Sequence, residues 1–358
     1  MASSIEDLPD EVKFDVLSLL SAKQLEAAAC VSKSWNRLIS EEPSAWRCLA
    51  SRMAGLYHYG WSDESSYFTE IHGRKSLKHV DTKLGFLPES EFYCVYDTCN
   101  GLVLCIDDDG SGWKVSADQY PISYVVCNPA TREFTVLPAI RRGDICYCTG
   151  LAYDPDRNPG EFKVVRFLFQ DVNTLEMEVR VFSPRSKEWK SLRFGLPQLL
   201  LLAGRRPVYH KGVLHIPAMP HFMLKFDVEK EVLSLEDLPG EMIGGSLGLL
   251  GVTGGVLQYV NNYYVEQGIL LVKWVLDEEV EEDKNRWIDA DWSVITAEYC
   301  KILAIHPDVE VVFMRNRGKI FAYHLKNGRE WELCEEKMGD FEVTCPYSPF
   351  FVPLGMRS

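Results

Sequence analysis

The chain has 358 residues, 46% hydrophobic and 25% charged, with a net charge of −14; it is long enough to bury a full core and to divide into more than one domain. That acidity works against general binding to phosphate backbones or anionic lipid. No window reaches the roughly 18 uninterrupted apolar residues of a membrane span, so membrane and nucleic-acid partners are both disfavoured.

The opening stretch, LPDEVKFDVLSLLSAKQLEAAACVSKSWNRLI (8–39), carries strong helix signals. Asp7 caps a first turn, Pro9 sits near a first helical position, and Asp10 and Glu11 favour the positive end of the helix dipole. Val12, Val16, Leu17 and Leu20 then fall on one face. A second short helix runs through Leu25, Ala28 and Ala29. A third begins near Ser32 and presents Trp35, Leu38 and Ile39, and Pro43 starts a further turn with Trp46 and Leu49. Helices this brief are marginal alone, and so few residues bury only a small core. Their leftover apolar faces predict a partner protein or docking onto the rest of the chain.

This pattern resembles the F-box, the helical motif that binds the Skp adaptor of SCF-type (Skp–cullin–F-box) ubiquitin ligases. The resemblance rests on the spacing from Leu8-Pro9 to Val31-Ser32-Lys33-x-Trp35, with Trp46 beyond it. One departure is the turn Ser21-Ala22-Lys23-Gln24, where the family usually has a proline. The match implies adaptor contacts among Leu8, Pro9, Val12, Val16, Leu17, Leu20, Leu25, Val31, Trp35 and Ile39, some of which must be internal core. Residues 3–50 are therefore expected to form a small all-α domain of three to four short helices.

Residues 51–90 change character. GLYHYGWSDESSYF is aromatic- and Ser-rich without a sustained helical period, and GRKSLKHVDTK is basic and polar; the expectation is a linker.

From about residue 91 to 358 a theme recurs: strand, polar turn, strand. YVVCNPATREFTVLP (124–138), VRVFSPRSKEWKSLRF (179–194), LKFDVEKEVLSLEDLP (224–239) and IFAYHLKNGREWELCEE (320–336) all follow it. A looser copy at 269–292 is lengthened by an acidic insertion. The anchors Phe134, Trp189, Leu233, Trp287 and Trp331 stand 44 to 55 residues apart, which suits four-stranded propeller blades of roughly 40 to 50 residues. Further strands precede most hairpins, and EFYCVYDTCNGLVLC (91–105) and FEVTCPYSPFFVPL (341–354) are candidates for closing the ring. The expected fold is thus α+β multidomain, a helical N-terminal module followed by an all-β propeller of about six blades. The order also resembles plant F-box proteins with an F-box-associated domain. Cys99-Asn100-Gly101-Leu102-Val103, Asn128-Pro129-Ala130-Thr131, Leu137-Pro138, Tyr153-Asp154-Pro155 and Val181-Phe182-Ser183 carry that resemblance.

Catalytic signatures do not assemble. Asp107-Asp108-Asp109-Gly110 lacks the glycine and glutamate spacing of a calcium loop. GGSLGLLGVTGG (244–255) precedes VLQYV rather than a phosphate-holding helix, so tight corners explain its glycines better. Cys146-x-Cys148 has no matching zinc partners, and His210, His215 and His221 span Gly212, Pro217 and Pro220 without a common helical face; surface or hairpin histidines are the expectation. No cofactor, metal or catalytic residue is assigned. Eleven cysteines at irregular spacing suit reduced, buried thiols, and MASSIEDLPD shows neither the basic nor the apolar region of a signal peptide, so cytoplasm, nucleus or both is expected.

Joining the two resemblances implies a non-catalytic substrate-recognition subunit of an SCF-type ligase, binding a Skp-type adaptor, through it cullin, and an unknown target. A propeller enzyme (a kelch-type oxidase or glycosidase) and a non-degradative scaffold are the alternatives. The long connections PAIRRGDICYC (138–148) and GLPQLLLLAGRRPVYH (195–210) carry arginine pairs. Arginine is favoured at interfaces for its planar fork, so Arg141, Arg142, Arg205, Arg206 and Tyr209 are expected to border the target surface.

Overall fold

The computed structural model describes residues 9, 12–13, 28, 31–35, 53–60, 65–71, 80–88, 93–107, 122–140, 146–158, 160–169, 175–202, 206–240, 247–266, 268–277, 287–295, 300–335 and 341–350. Among them are β1 (Gly55–Gly60) and β2 (Ser65–Glu70), then β3 (Tyr93–Cys99), β4 (Leu102–Asp107), β5 (Ser123–Asn128) and β6 (Glu133–Val136). They are followed by β7 (Cys146–Tyr153), β8 (Phe162–Phe169), β9 (Glu176–Ser183) and β10 (Glu188–Gly195). Next come β11 (Leu201–Leu202), β12 (Val208–His210), β13 (Val213–Met219), β14 (Phe222–Asp227) and β15 (Val232–Asp237). The chain continues through β16 (Leu249–Thr253), β17 (Val256–Val265), β18 (Gly268–Leu276) and β19 (Trp287–Ile295). It ends with β20 (Lys301–Ile305), β21 (Val311–Asn316), β22 (Lys319–His324), β23 (Glu330–Glu335) and β24 (Phe341–Tyr347).

These strands make six antiparallel sheets, β3–β6, β7–β10, β11–β15, β16–β19, β20–β23 and the composite β2-β1-β24. Their leading strands β24, β3, β7, β12, β16 and β20 touch in that order and return to β24. The result is a closed six-bladed propeller. Each expected hairpin is the outer pair of a blade, with Phe134 opposite Cys127, Trp189 opposite Phe182, Leu233 opposite Phe226, Trp287 opposite Leu276 and Trp331 opposite Ala322.

The core lies between blades. Six apolar clusters are found, and each joins two neighbouring sheets, as where Phe167 and Val179 meet Leu214 and Phe226, or Leu56 and Met53 meet Phe313 and Ala322. A sheet buried on both faces has no single inside, so only a ring covers all of its apolar surface.

Outer hairpins share one turn. The amides of Arg132, Lys187, Glu231 and Gly328 donate to the carbonyls of Asn128, Ser183, Asp227 and His324 at 2.8–3.0 Å. Those four leading side chains in turn accept from the amide two residues on, as Asn128 Oδ1 does from Ala130 and Asp227 Oδ1 from Glu229, both at 3.0 Å. Such self-bonding is why Asn, Asp and Ser start turns. The charged residue after each turn, Arg132, Lys187 or Glu231, occupies a left-handed conformation with φ of 56–59°, and Gly328 takes that place in the last copy.

The stretch expected as a linker, 51–90, holds β1 and β2, and this corrects the reading of that segment. β1 is the middle strand of the closing blade, with Leu56 opposite Pro346 on β24 and Thr69 on β2. Met53 through Tyr59 are all buried, so no alternation of polar and apolar residues marks the strand. The 341–354 segment does supply the closure through β24. The described part of 91–105 does not; from Tyr93 on it forms the β3–β4 hairpin of the following blade. Most of the expected helical module, 3–50, lies outside the described residues.

His58 sits fully buried at the centre of that closing blade. Its Nδ1 is 3.2 Å from Thr344 Oγ1 and its Nε2 3.0 Å from Thr69 Oγ1, so one ring spans all three strands. Burial lowers its pKa to about 3. The unfolded chain takes up this proton near pH 6.5 while the fold refuses it, so the contribution is present above pH 6.5 and is lost as pH falls toward 3. Urea unfolding at pH 7 and pH 4.5 should show the wild type losing on the order of 2–3 kcal/mol more than His58→Asn; equal losses would remove this histidine as the acid-sensitive point.

Candidate interaction faces

At the N-terminus, Val12 and Lys13 donate their amides to the Pro9 carbonyl at 3.0 Å, forming the first turn after a proline whose own nitrogen has no proton to place. Ser32 Oγ accepts from the Trp35 amide at 3.2 Å, which caps the helical turn expected there. Pro9, Val12 and Val31 are exposed, Trp35 is half-buried and Ala28 is buried. Val12 and Val31 thus leave apolar surface exposed on helical turns. Leu8, Val16, Leu17, Leu20, Leu25 and Ile39 lie outside the described residues.

In the propeller, alternating strand direction sorts the loops onto two faces. Turns between first and second strands, and between third and fourth, open on one side, the hairpin face. Second-to-third turns and blade-to-blade connections open on the other, the connection face.

The hairpin face carries a latch built from the residues that gave the resemblance. Asn100 Nδ2 donates to the Tyr153 carbonyl at 2.7 Å, and Asn128 Nδ2 donates to the Phe350 carbonyl at 2.8 Å. The Phe350 ring meets Tyr153 edge-on at 6.1 Å. Gly101, at φ +89°, lies so close that an added Cβ would stand 2.2 Å from Phe350 Cβ. The segment after β24 thus straps two blades together, and Gly101→Ala should lower the unfolding midpoint clearly, by about 2 kcal/mol or more from the clash and the left-handed backbone; circular dichroism in urea reads it.

Of the residues expected at a target surface, Arg141, Arg142 and Arg205 lie outside the described residues. Arg206 turns inward instead. Its Nε donates to Asp97 Oδ1 at 2.9 Å, the Leu151 amide donates to Asp97 Oδ2 at 2.8 Å, and the Thr98 amide adds a third bond at 2.8 Å. β3, β7 and the approach to β12 are therefore pinned at one carboxylate. Burial pushes the Asp97 carboxyl above its ordinary value, against Arg206 and the two amides. An arginine held this way is a structural cation, not a free fork on a loop. Tyr209, on β12, is half-buried at the hairpin face, beside a crevice of about 40 Å³ that Asp154, Arg157, Lys163 and Glu229 also line; such a space holds water rather than a metabolite. Burial, then Cys99 and Asp154, raise its phenol to about 12. Of the five expected residues the structure describes two, Arg206 held by Asp97 and Tyr209 beside the crevice.

His210 and His215, for which a surface or hairpin place was expected, lie buried on the β12–β13 hairpin, with His215 Nδ1 3.3 Å from the Val208 carbonyl. Gly254-Gly255, from the glycine-rich stretch, is a two-residue turn with φ of +59° and +81° leading from β16 into β17, the corner expected of it. Among the described residues no three His, Cys, Asp or Glu side chains stand together as a metal site, no helix is long and apolar enough to cross a membrane, and eight cysteines are free thiols, seven of them buried.

Replacing Arg206 with Met leaves Asp97 buried without its cation, a change that costs about 3–5 kcal/mol. Adding Asp97→Asn should restore much of the loss in urea unfolding. A double mutant no better than the single would show that the pair does not act as a unit.

Six radial sheets, closed by pairing β24 with β1, define a propeller protein. The chain belongs to the F-box associated beta propeller domain family, whose sequence model matches residues 58–330; residues 5–52 match the F-box-like domain. It is an F-box protein. Among its relatives are an F-box/kelch-repeat protein of Arabidopsis thaliana, 27% identical over 68% of this chain and 68% of that one, and an F-box protein of the same plant, 27% identical over 67% of each. A putative Arabidopsis F-box protein is 22% identical over 79% of this chain and 59% of its own length, so the chain spans about three fifths to two thirds of these relatives. Among solved structures, a Mycobacterium tuberculosis puromycin-hydrolyzing peptidase aligns with a TM-score of 0.39 at 15% identity over 71% of this chain and 40% of that one. That likeness is too loose to bear on activity.

Proposed function

We infer that this chain is the substrate-recognition subunit of an SCF-type ubiquitin ligase, working in the cytoplasm, the nucleus or both. Its helical motif binds a Skp-type adaptor and, through it, cullin, while the propeller holds the target. The chain performs no chemistry of its own; it supplies effective concentration and orientation beside a ubiquitin-conjugating enzyme.

The observation that carries this reading is the joint between the two parts. The F-box-like match ends at residue 52, β1 begins at Gly55, and Met53 and Ala54 between them are both fully buried in the propeller core. A module tied to a rigid body by so short and so buried a connection transmits position rather than hanging on a flexible string.

Leu8→Ala combined with Pro9→Ala should weaken capture by a recombinant Skp-type adaptor about 10- to 100-fold, the scale of two lost interface anchors. The thermal midpoint of the propeller should stay put. Undiminished co-purification of the double mutant with adaptor and cullin would defeat the assignment.

A further inference from the structure

The blade β16–β19 is built differently from the others. β17, β18 and β19 run 10, 9 and 9 residues, whereas β16 pairs only with Val256–Val260 of β17. The remainder of β17, held by β18 through Tyr263 opposite Leu270 and Tyr264 opposite Ile269, projects past its inner strand onto the connection face. β19 continues the projection, with Val294 opposite Leu270 and Trp292 opposite Val272.

Cross-strand partners share a side of a sheet, so Trp292, Val294, Leu270, Val272 and Tyr263 line one side. That side is the one by which Trp274, Leu276 and Trp287 enter the core shared with the preceding blade. Among the described residues the preceding blade covers only part of it: β15 stops at Asp237, and Gly240 fits tightly beneath Tyr263 and Trp274. Beyond that point Trp292 is 72% exposed and Val294 42% exposed, with Tyr264 and Val265 exposed at the tip. An exposed tryptophan beside aliphatic neighbours at the margin of a packed core is an interaction signature rather than scatter. β19 is also the outermost strand of its sheet, and among the described residues no strand pairs with its outer edge.

Charge indicates what fits there. Asp289 on β19, Asp237 at the end of β15 and Glu266 in the β17–β18 turn are all exposed. Lys273, on the neighbouring strand, is buried against Asp291 and Glu310 and offers nothing to a visitor. An acidic rim around an apolar shelf, on a chain of net charge −14, repels acidic partners and a second copy of itself, and attracts basic ones.

We propose that this ledge docks an extended segment of another protein in which apolar residues alternate with lysine or arginine, added as a further strand along β19. Its apolar side chains cover Trp292 and Val294, and its cations, on the other side of the added strand, lie in the field of the surrounding acids. The proposal rests on the reading of this chain as a recognition subunit and assigns the target's chemistry; it moves the recognition surface from the arginine-bearing connections to an acidic, aromatic ribbon.

A fluorescein-labelled decapeptide of alternating valine and lysine, and its valine–glutamate counterpart, serve as probes in fluorescence anisotropy with the full chain. The lysine peptide should bind, the glutamate peptide should not, and Trp292→Ser with Val294→Ser should weaken binding about tenfold or more. Asp289→Lys should weaken the lysine peptide as well. Equal binding of the lysine peptide to wild type and the double variant would reduce the effect to general attraction by an acidic chain and overturn the proposal. Absence of binding to wild type would overturn it too, as would a dimer in sedimentation that Trp292→Ser with Val294→Ser dissolves. Adaptor capture, measured on the same proteins, should be unchanged in the variant; loss of adaptor capture by the wild type defeats the ligase reading, whereas the peptide result judges the ledge alone.

Discussion

Ring closure is the constraint on which everything else depends. The apolar clusters lie between blades, not within them, so every sheet needs two neighbours and the first and last sheets need each other. The chain meets that need by pairing β24 with β1, and the closing ring of bonds includes His58 to Thr344, 286 positions apart in sequence. Pairing at such separation has to overcome a large loop-closure entropy before any contact compensates it. Closure therefore comes with reinforcement. Thr98 Oγ1 donates to the Pro346 carbonyl at 2.8 Å, the Ala54 amide donates to the Tyr347 carbonyl at 2.7 Å, and Tyr347 meets both Tyr57 and Phe68 edge to face behind the strands.

Inner strands crowd toward the axis, and the sequence answers with small residues. Gly251 on β16 leaves no space for a side chain beside Ile305 on β20, and Gly150 on β7 likewise abuts Pro207 ahead of β12. The same crowding makes a charge at the axis expensive unless it is fully met. Asp97 satisfies the condition with one guanidinium and two amides drawn from different blades. Polar atoms at the axis consequently act as rivets between blades, and variation that serves recognition is displaced to the periphery, where strand length is free to change.

How much of this was legible in the sequence follows from how local each feature is. Outer hairpins were legible because their fourth strands are half solvated, so β10 and β15 alternate between exposed and partly buried residues, and because Asn128, Ser183 and Asp227 announce the turn within a few residues. The F-box-like segment was legible through motif spacing. β1 and β2 were not: GLYHY (55–59) is buried on both faces, mixes Gly with aromatics, and takes one of its partners from the far end of the chain. Arg206 misled for the same reason. A sequence shows an arginine in a long connection but not the carboxylate 109 residues away that claims it.

The family-defining residues acquire a physical meaning that bears on specificity. Asn100, Gly101, Asn128 and Tyr153 converge on Phe350 and hold the hairpin face shut. Residues committed to such a latch are poor material for distinguishing one target from another, because changing them loosens the ring. The connection face is under no equivalent obligation. There the β17–β18 ribbon extends beyond its inner strand without disturbing the β16–β17 pairing nearer the axis, so its length and its exposed side chains can vary while closure is kept. A propeller of this kind separates the two demands in space. One face and the axis preserve the fold, the opposite rim is open to change, and the F-box-like segment leads into β1, a strand that the closing blade pairs on both sides.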